Sequence, residues 1–184
     1  RLKHLTDDLV EASKISSGNI KLELTRLDFR ELIQQTNGEF SEKFEAKDLQ
    51  LIVDMPEEPV VIVADGRRLW RVVENLYNNT AKYAMPNTRV YVELTTVGHM
   101  VRFSIKNISE QPLNINADEL TERFIRGDVA RSTEGSGLGL SIARNLTELQ
   151  KGSFNIYLDG DLFKVTIIFP EADSAAVNET EPQE

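Results

Sequence analysis

Apolar positions along this chain fall into two periods, one of three to four residues and one of two. Leu2, Leu5, Leu9 and Ala12 follow a 3-4-3 spacing, which predicts a helix over residues 1–16 with a seam for a helical partner. Ser17-Gly18-Asn19 breaks it, and Ile20, Leu22 and Leu24 then alternate as a strand. Asp28 opens a second helix, with Glu31 in the N-cap to N3 relation, carrying Leu32, Ile33, Phe40 and Phe44. Residues 49–53 and 60–64 read as strands, and Asp65 caps a third helix. Leu69, Val72, Val73, Leu76, Tyr77 and Thr80 give that helix one buried stripe, and Trp70 reads as core or helix interface. Residues 89–97 and 101–106 predict a hairpin through Gly98-His99, and residues 117–124 a short helix. Leu138, Ile142, Leu146 and Leu149 predict the last helix. A final hairpin over residues 153–170 turns at Asp159-Gly160 and puts Phe154, Phe163 and Phe169 in the core. Strands and helices do not alternate strictly. The expected class is therefore α/β (α+β), a two-layer sandwich of a mixed, mainly antiparallel sheet with helices on one face.

Two segments interrupt these patterns with residue types that packing does not need. Gly135–Ala143 reads GSGLGLSIA, with glycines at alternate positions just before a helix. Glycine lets the backbone turn freely and approach a ligand. A helix N-terminus adds unpaired N–H groups and a positive dipole end, which suits phosphate. It is not a P-loop, because Leu140 and Ser141 stand where Lys and Ser/Thr would. Nor is it a dinucleotide fingerprint, because the polar run RGDVARSTE precedes it instead of a buried strand. A flexible loop before an ordinary helix would read the same way. The second segment is the third helix, where Asn75, Asn79 and Lys82 share a face and Asn78 lies beside them. Amide oxygens can ligate Mg²⁺ without adding charge, and a lysine adds a positive point charge for phosphates. A solvated helix face is the plainer alternative.

Taken together, the segments resemble the nucleotide site of the GHKL superfamily, and more narrowly the catalytic and ATP-binding domain of sensor histidine kinases. NLYNNTAKYA is similar to the family's N box, ERFIRGD (residues 122–128) to its F box, and GSGLGLSIA to its G2 box. The opening LTDDLVEASKISSG resembles the end of the second helix of the dimerisation and phosphotransfer domain, so the resemblance runs from residue 1 to about 170. It implies a dimerisation helix end over 1–18, an ATP-binding domain over 19–170 and an acidic tail over 171–184. It further implies ATP and Mg²⁺ as ligands, with Asn79 on the metal and Asn75 where hydrolysing relatives carry a glutamate. Glu74 points about 100° away round the helix and is not expected to replace that base. Lys82 is implied on the phosphates, Tyr83 near the purine or ribose, and Arg126 and Arg131 on the terminal phosphates. The segment Gly135, Ser136, Gly137, Leu138, Gly139 and Leu140 is implied to hold the phosphate chain by its N–H groups.

One box departs from the family pattern. Where DxGxG is expected the chain reads NISEQPLNI, with Asn107 in the aspartate position and both glycines absent. Asn107 would meet the adenine amino group through a weaker, uncharged acceptor, and Pro112 would stiffen the turn. Neither His4 nor His99 lies in the motif of a phosphoacceptor. The chain is thus expected to begin part-way through a longer protein, and to bind ATP without phosphorylating itself. The implied partners are its own dimerisation domain, as a homodimer, and a response regulator. A degenerate pseudokinase or docking module is the alternative reading, and an ATP-hydrolysing relative of gyrase or chaperone type a third.

The formal charge of −9 argues against nucleic acid, which calls for a basic face. Residues 171–184 hold five acidic residues and no basic one, the composition of a disordered tail. The chain has no cysteine, which suits a reducing compartment. No apolar run approaches the length of a membrane span, and no membrane contact is expected of this chain. The resemblance implies a cytoplasmic domain of a membrane-anchored parent.

Overall fold

The structure is a computed structural model, and it describes residues 2–18, 20–113 and 138–172. In chain order the elements are α1 (Leu2–Ser16), β1 (Thr25–Asp28), α2 (Phe29–Glu45), β2 (Gln50–Asp54), β3 (Val61–Ala64) and α3 (Gly66–Tyr83). There follow β4 (Arg89–Val97), β5 (Met100–Ile108), α4 (Gly139–Leu149), β6 (Ser153–Asp159) and β7 (Leu162–Pro170). A five-stranded sheet has the order β2-β4-β5-β7-β6, with β2 parallel to β4 and the other pairs antiparallel. β1 and β3 form a separate antiparallel pair. The class is the α/β sandwich that the patterning predicts.

Alternation decides which face of the sheet is covered. Val90, Val92, Leu94, Val101, Phe103, Ile105, Val165, Ile167 and Phe169 are buried, while Tyr91, Glu93, Lys106 and Lys164 lie on the opposite face. The helices supply the other half of the core through Phe29, Ile33, Phe40 and Phe44 of α2, Leu140, Ile142 and Leu146 of α4, and the stripe of α3. Each large aliphatic side chain buried in this way stabilises the fold by about 1.5–3 kcal/mol. Among the described residues Tyr77 is the largest that is fully buried. It stacks on Phe44 at 5.9 Å and donates a 2.6 Å hydrogen bond to Asn37 Oδ1, tying α3 to α2. Burial pushes its phenol well above the ordinary tyrosine range.

The caps form as the sequence predicts. Asp28 accepts from Arg30 N at 3.0 Å, and Asp65 accepts from Arg67 N and Arg68 N at 3.1 and 3.2 Å. Asp65 also accepts from Glu23 N at 3.0 Å. That bond accounts for one departure from expectation. Residues 20–24 are not a strand; the ladder begins at Thr25, opposite Ala64, because the Glu23 N–H is engaged by the α3 cap. Other expectations shift in smaller ways. The last hairpin turns through Gly160-Asp161, since Asp159 pairs with Leu162 and Gly160 takes a φ of +56°. β5 runs past Lys106 to Ile108, so Asn107 is a strand residue opposite Phe163. Leu149 is exposed, and α4 buries Leu140, Ala143 and Thr147 beside Ile142 and Leu146. The α1 seam divides: Ala12 packs against the core with Ile15, whereas Leu9 faces outward. Trp70 is half-buried. The expected helix over residues 117–124 lies outside the described residues.

Candidate nucleotide site

α3 carries its apolar stripe inward, and the sequence interleaves a polar face beside it. Asn75 begins that face and is 7% exposed. Its Nδ2 is buried without a hydrogen-bond partner among the described residues. Leaving such a donor unpaired costs about 1–3 kcal/mol, so the position is poor for stability and points to a ligand. The opposite wall is α4, whose first residue, Gly139, comes so close that an added Cβ would lie 3.4 Å from Asn75 Oδ1. The α4 N-cap is Leu138, which offers no side-chain hydrogen bond to the helix N-terminus. The first residue of α4 and the Asn75 side chain therefore lie against each other where α3 and α4 pack.

One turn on, Asn79 is half-buried on the same helix, and Asn78 accepts from Lys43 Nζ of α2 at 3.1 Å. The Lys82 ammonium sits 4.6 Å from the centre of the Tyr83 ring. Thr80 reaches across to the sheet, where its hydroxyl lies 3.5 Å from Asn107 Oδ1. Backbone bonds hold the start of the glycine-free segment after β5, and Pro112 in it is exposed. Met85 N donates to Ile108 O and Glu110 N to Tyr83 O, both at 2.8 Å, and Ala84 bridges Ser109. Lys47 Nζ completes this closure by donating to the Lys82 and Ala84 carbonyls, each at 2.9 Å, with Glu110 at 3.6 Å. A cation on the last carbonyls of a helix complements its dipole. Sequence reading missed Lys47, because only its i, i+4 relation to Lys43 marks it and its partners lie 35 or more residues away.

A second missed group lies at the other end of α3. Glu11 of α1 pairs with Arg68 at 3.0 Å and Arg71 at 3.1 Å, and Arg71 pairs with Glu74 at 2.8 Å. Glu74, one residue before Asn75 on α3, is thus ion-paired. The structure brings together Asn75 with Gly139, Thr80 with Asn107, and Lys82 with Tyr83, and places Asn79 on α3, Leu140 on α4 and Leu138 at the α4 N-cap. Arg126, Arg131, Gly135, Ser136 and Gly137 lie outside the described residues. Among the described residues no group of three or more His, Cys, Asp or Glu is placed to hold a metal ion. No helix among them is long and apolar enough to cross a membrane.

A two-layer α/β sandwich with an amide-bearing helix set against a glycine-led helix N-terminus defines a class of ATP-binding domain. The chain belongs to the family of histidine kinase-, DNA gyrase B- and HSP90-like ATPases, which matches it over residues 64–173. It is 33% identical over 159 residues to the probable sensor histidine kinase TcrY of Mycobacterium tuberculosis, covering 85% of this chain and 33% of that protein. It is 30% identical over 148 residues to the sensor protein VanS of Enterococcus faecium, covering 79% of this chain and 38% of that protein. The nucleotide-free catalytic domain of histidine kinase ThkA superposes with a TM-score of 0.70 at 25% identity, covering 81% of this chain and 96% of that one. The chain thus spans about a third of the length of these curated relatives.

Proposed function

We propose that this chain is the ATP-binding catalytic domain of a sensor histidine kinase, donating the γ-phosphoryl group of ATP to a histidine on a dimerisation domain. The observation that carries this reading is the buried Asn75 Nδ2, which has no hydrogen-bond partner among the described residues, in a side chain that lies against Gly139. The donor set fits a nucleotide. Asn79 would hold Mg²⁺, Lys82 and the N–H groups of residues 135–140 the phosphates, Tyr83 the ribose or purine, and Asn107 the base. Arg126 and Arg131 would neutralise the terminal phosphates. Mg²⁺ supplies charge neutralisation on phosphate oxygens when bound. Residues 1–18 would be the end of a dimerisation helix and residues 171–184 an acidic tail, with a cytoplasm-facing placement in a membrane-anchored parent.

In the transfer itself, the bond from the γ-phosphorus to the bridging oxygen breaks, a bond to a histidine nitrogen forms, and ADP leaves. The chain contributes alignment and positive charge, which are most of what phosphoryl transfer needs. Asn75 cannot take a proton from water near neutral pH, and Glu74 is tied to Arg71. Both features favour transfer over hydrolysis. A response regulator would then receive the phosphoryl group on an aspartate.

Calorimetry with ATP and Mg²⁺ tests the reading. Saturable binding that Asn79→Ala weakens at least about tenfold is expected. No detectable heat at about millimolar nucleotide would favour a docking module that keeps only the fold. Incubation with labelled ATP should leave no acid-labile label on this chain; such a label would contradict the assignment of a separate acceptor.

A further inference from the structure

The residue assigned above to the base is a buried amide. Asn107 is 3% exposed and lies in β5 two residues beyond the buried Ile105, on the helix side of the sheet. Its Nδ2 donates to the Ile108 carbonyl oxygen at 3.1 Å, while its Oδ1 lies 3.5 Å from the Thr80 hydroxyl. The first contact fixes the orientation, because turning the amide over would set two oxygens against each other. The second is at the outer limit of a hydrogen bond. A primary amide has two N–H donors and two acceptor lone pairs. Among the described residues, one N–H and one lone pair of Asn107 have no partner. The Thr80 hydroxyl, a rotor, can act as donor or acceptor beside it. Lys47, Met85 and Glu110 hold the end of α3 in place through the bonds described above.

We infer that Asn107 makes this site accept 6-oxopurine nucleoside triphosphates alongside ATP. The inference rests on the proposed nucleotide site. A 6-aminopurine presents an N–H donor beside a ring-nitrogen acceptor. A 6-oxopurine presents a carbonyl acceptor beside an N1–H donor. The N–H and lone pair of Asn107 complement either edge, Oδ1 taking the N–H and Nδ2 giving to the ring nitrogen or to O6, with the base displaced sideways between the two. A carboxylate at this position would accept only, and its charge would repel O6. Sites that read a polar group by fixed complementarity reject the wrong partner strongly. A neutral group with both functions gives up that rejection.

Calorimetric titration of the chain with ATP and with ITP, each with Mg²⁺, decides the matter. ITP differs from ATP at the 6-position without adding the 2-amino group of guanine. ITP should bind within about tenfold of ATP, and Asn107→Asp should widen the gap in favour of ATP by at least a further tenfold. Asn107→Ala should weaken both nucleotides together and leave their ratio within about threefold of the starting value. If a thermal melt shows that Asn107→Asp does not fold, the wild-type ratio and the alanine variant still decide. ATP binding with ITP more than about tenfold weaker overturns the inference and leaves the nucleotide site standing. Failure of both nucleotides to bind removes the nucleotide site itself.

Discussion

The Glu11 carboxylate of α1 lies 3.0 Å from the Arg68 guanidinium of α3, so the first helix is fastened to the helix that carries the asparagines. Arg71 joins the same carboxylate at 3.1 Å. Glu11 side-chain exposure is 14%, which places this pairing between a surface ion pair and a buried one. Glu11→Gln should loosen α1 by about 1 kcal/mol and speed hydrogen exchange over residues 6–16. The loss should shrink in high salt, because partly exposed pairs are screened. Unchanged exchange in α1 would show that Ala12 and Ile15 alone hold the helix.

Asn75 is expected to show a conflict between stability and binding. Asn75→Ala removes a buried donor that has no partner among the described residues. Nucleotide-free stability should therefore stay level or rise, by up to about 1 kcal/mol, while ATP affinity falls at least about tenfold. Urea unfolding and calorimetry read the two quantities separately. A large loss of stability would mean that the amide serves the fold.

Gly152 tests close packing away from the site. A Cβ there would lie 2.7 Å from Phe169 Cε1 and 2.8 Å from Thr147 Cγ2. Both neighbours are buried and cannot swing clear. Gly152→Ala should cost about 1–3 kcal/mol in chemical denaturation and leave nucleotide affinity unaltered once the protein is folded.

Asp65 links pH to stability. Burial alone would raise its carboxyl, but the N–H groups of Glu23, Arg68 and Arg67, with the Arg68 charge, outweigh burial and hold it below the ordinary range. A carboxyl held low in the folded state favours folding fully above its unfolded value of about 3.9. That contribution fades as the pH falls from there through the folded-state value. Asp65→Asn should cost about 1–2 kcal/mol at about pH 7, since an amide nitrogen would then face backbone N–H groups. The gap to wild type should narrow at about pH 3. An equal gap at both pH values would contradict the charge-based account.

The legible parts of the chain are those governed by its own local geometry. The six-residue stripe of α3 is buried throughout, and Asp28 and Asp65 cap their helices as their positions predict. Both short hairpin loops begin with a glycine at positive φ. The alternation of Ile20, Leu22 and Leu24 misled, because a strand also needs a partner edge, and Asp65 takes the Glu23 N–H instead. Leu149 misled because helical spacing says where a residue points and not whether anything covers it.

By itself the sequence determined the period of each element, the helix starts, the amides on one helix face and the glycines before another. These follow from bonds and sterics within a few residues. Only the tertiary structure decided that Asn75 meets Gly139, that Lys47 closes the end of α3, and that Glu11 fastens α1. Those contacts join residues dozens of positions apart, and they are set by how the layers pack, which no local rule encodes.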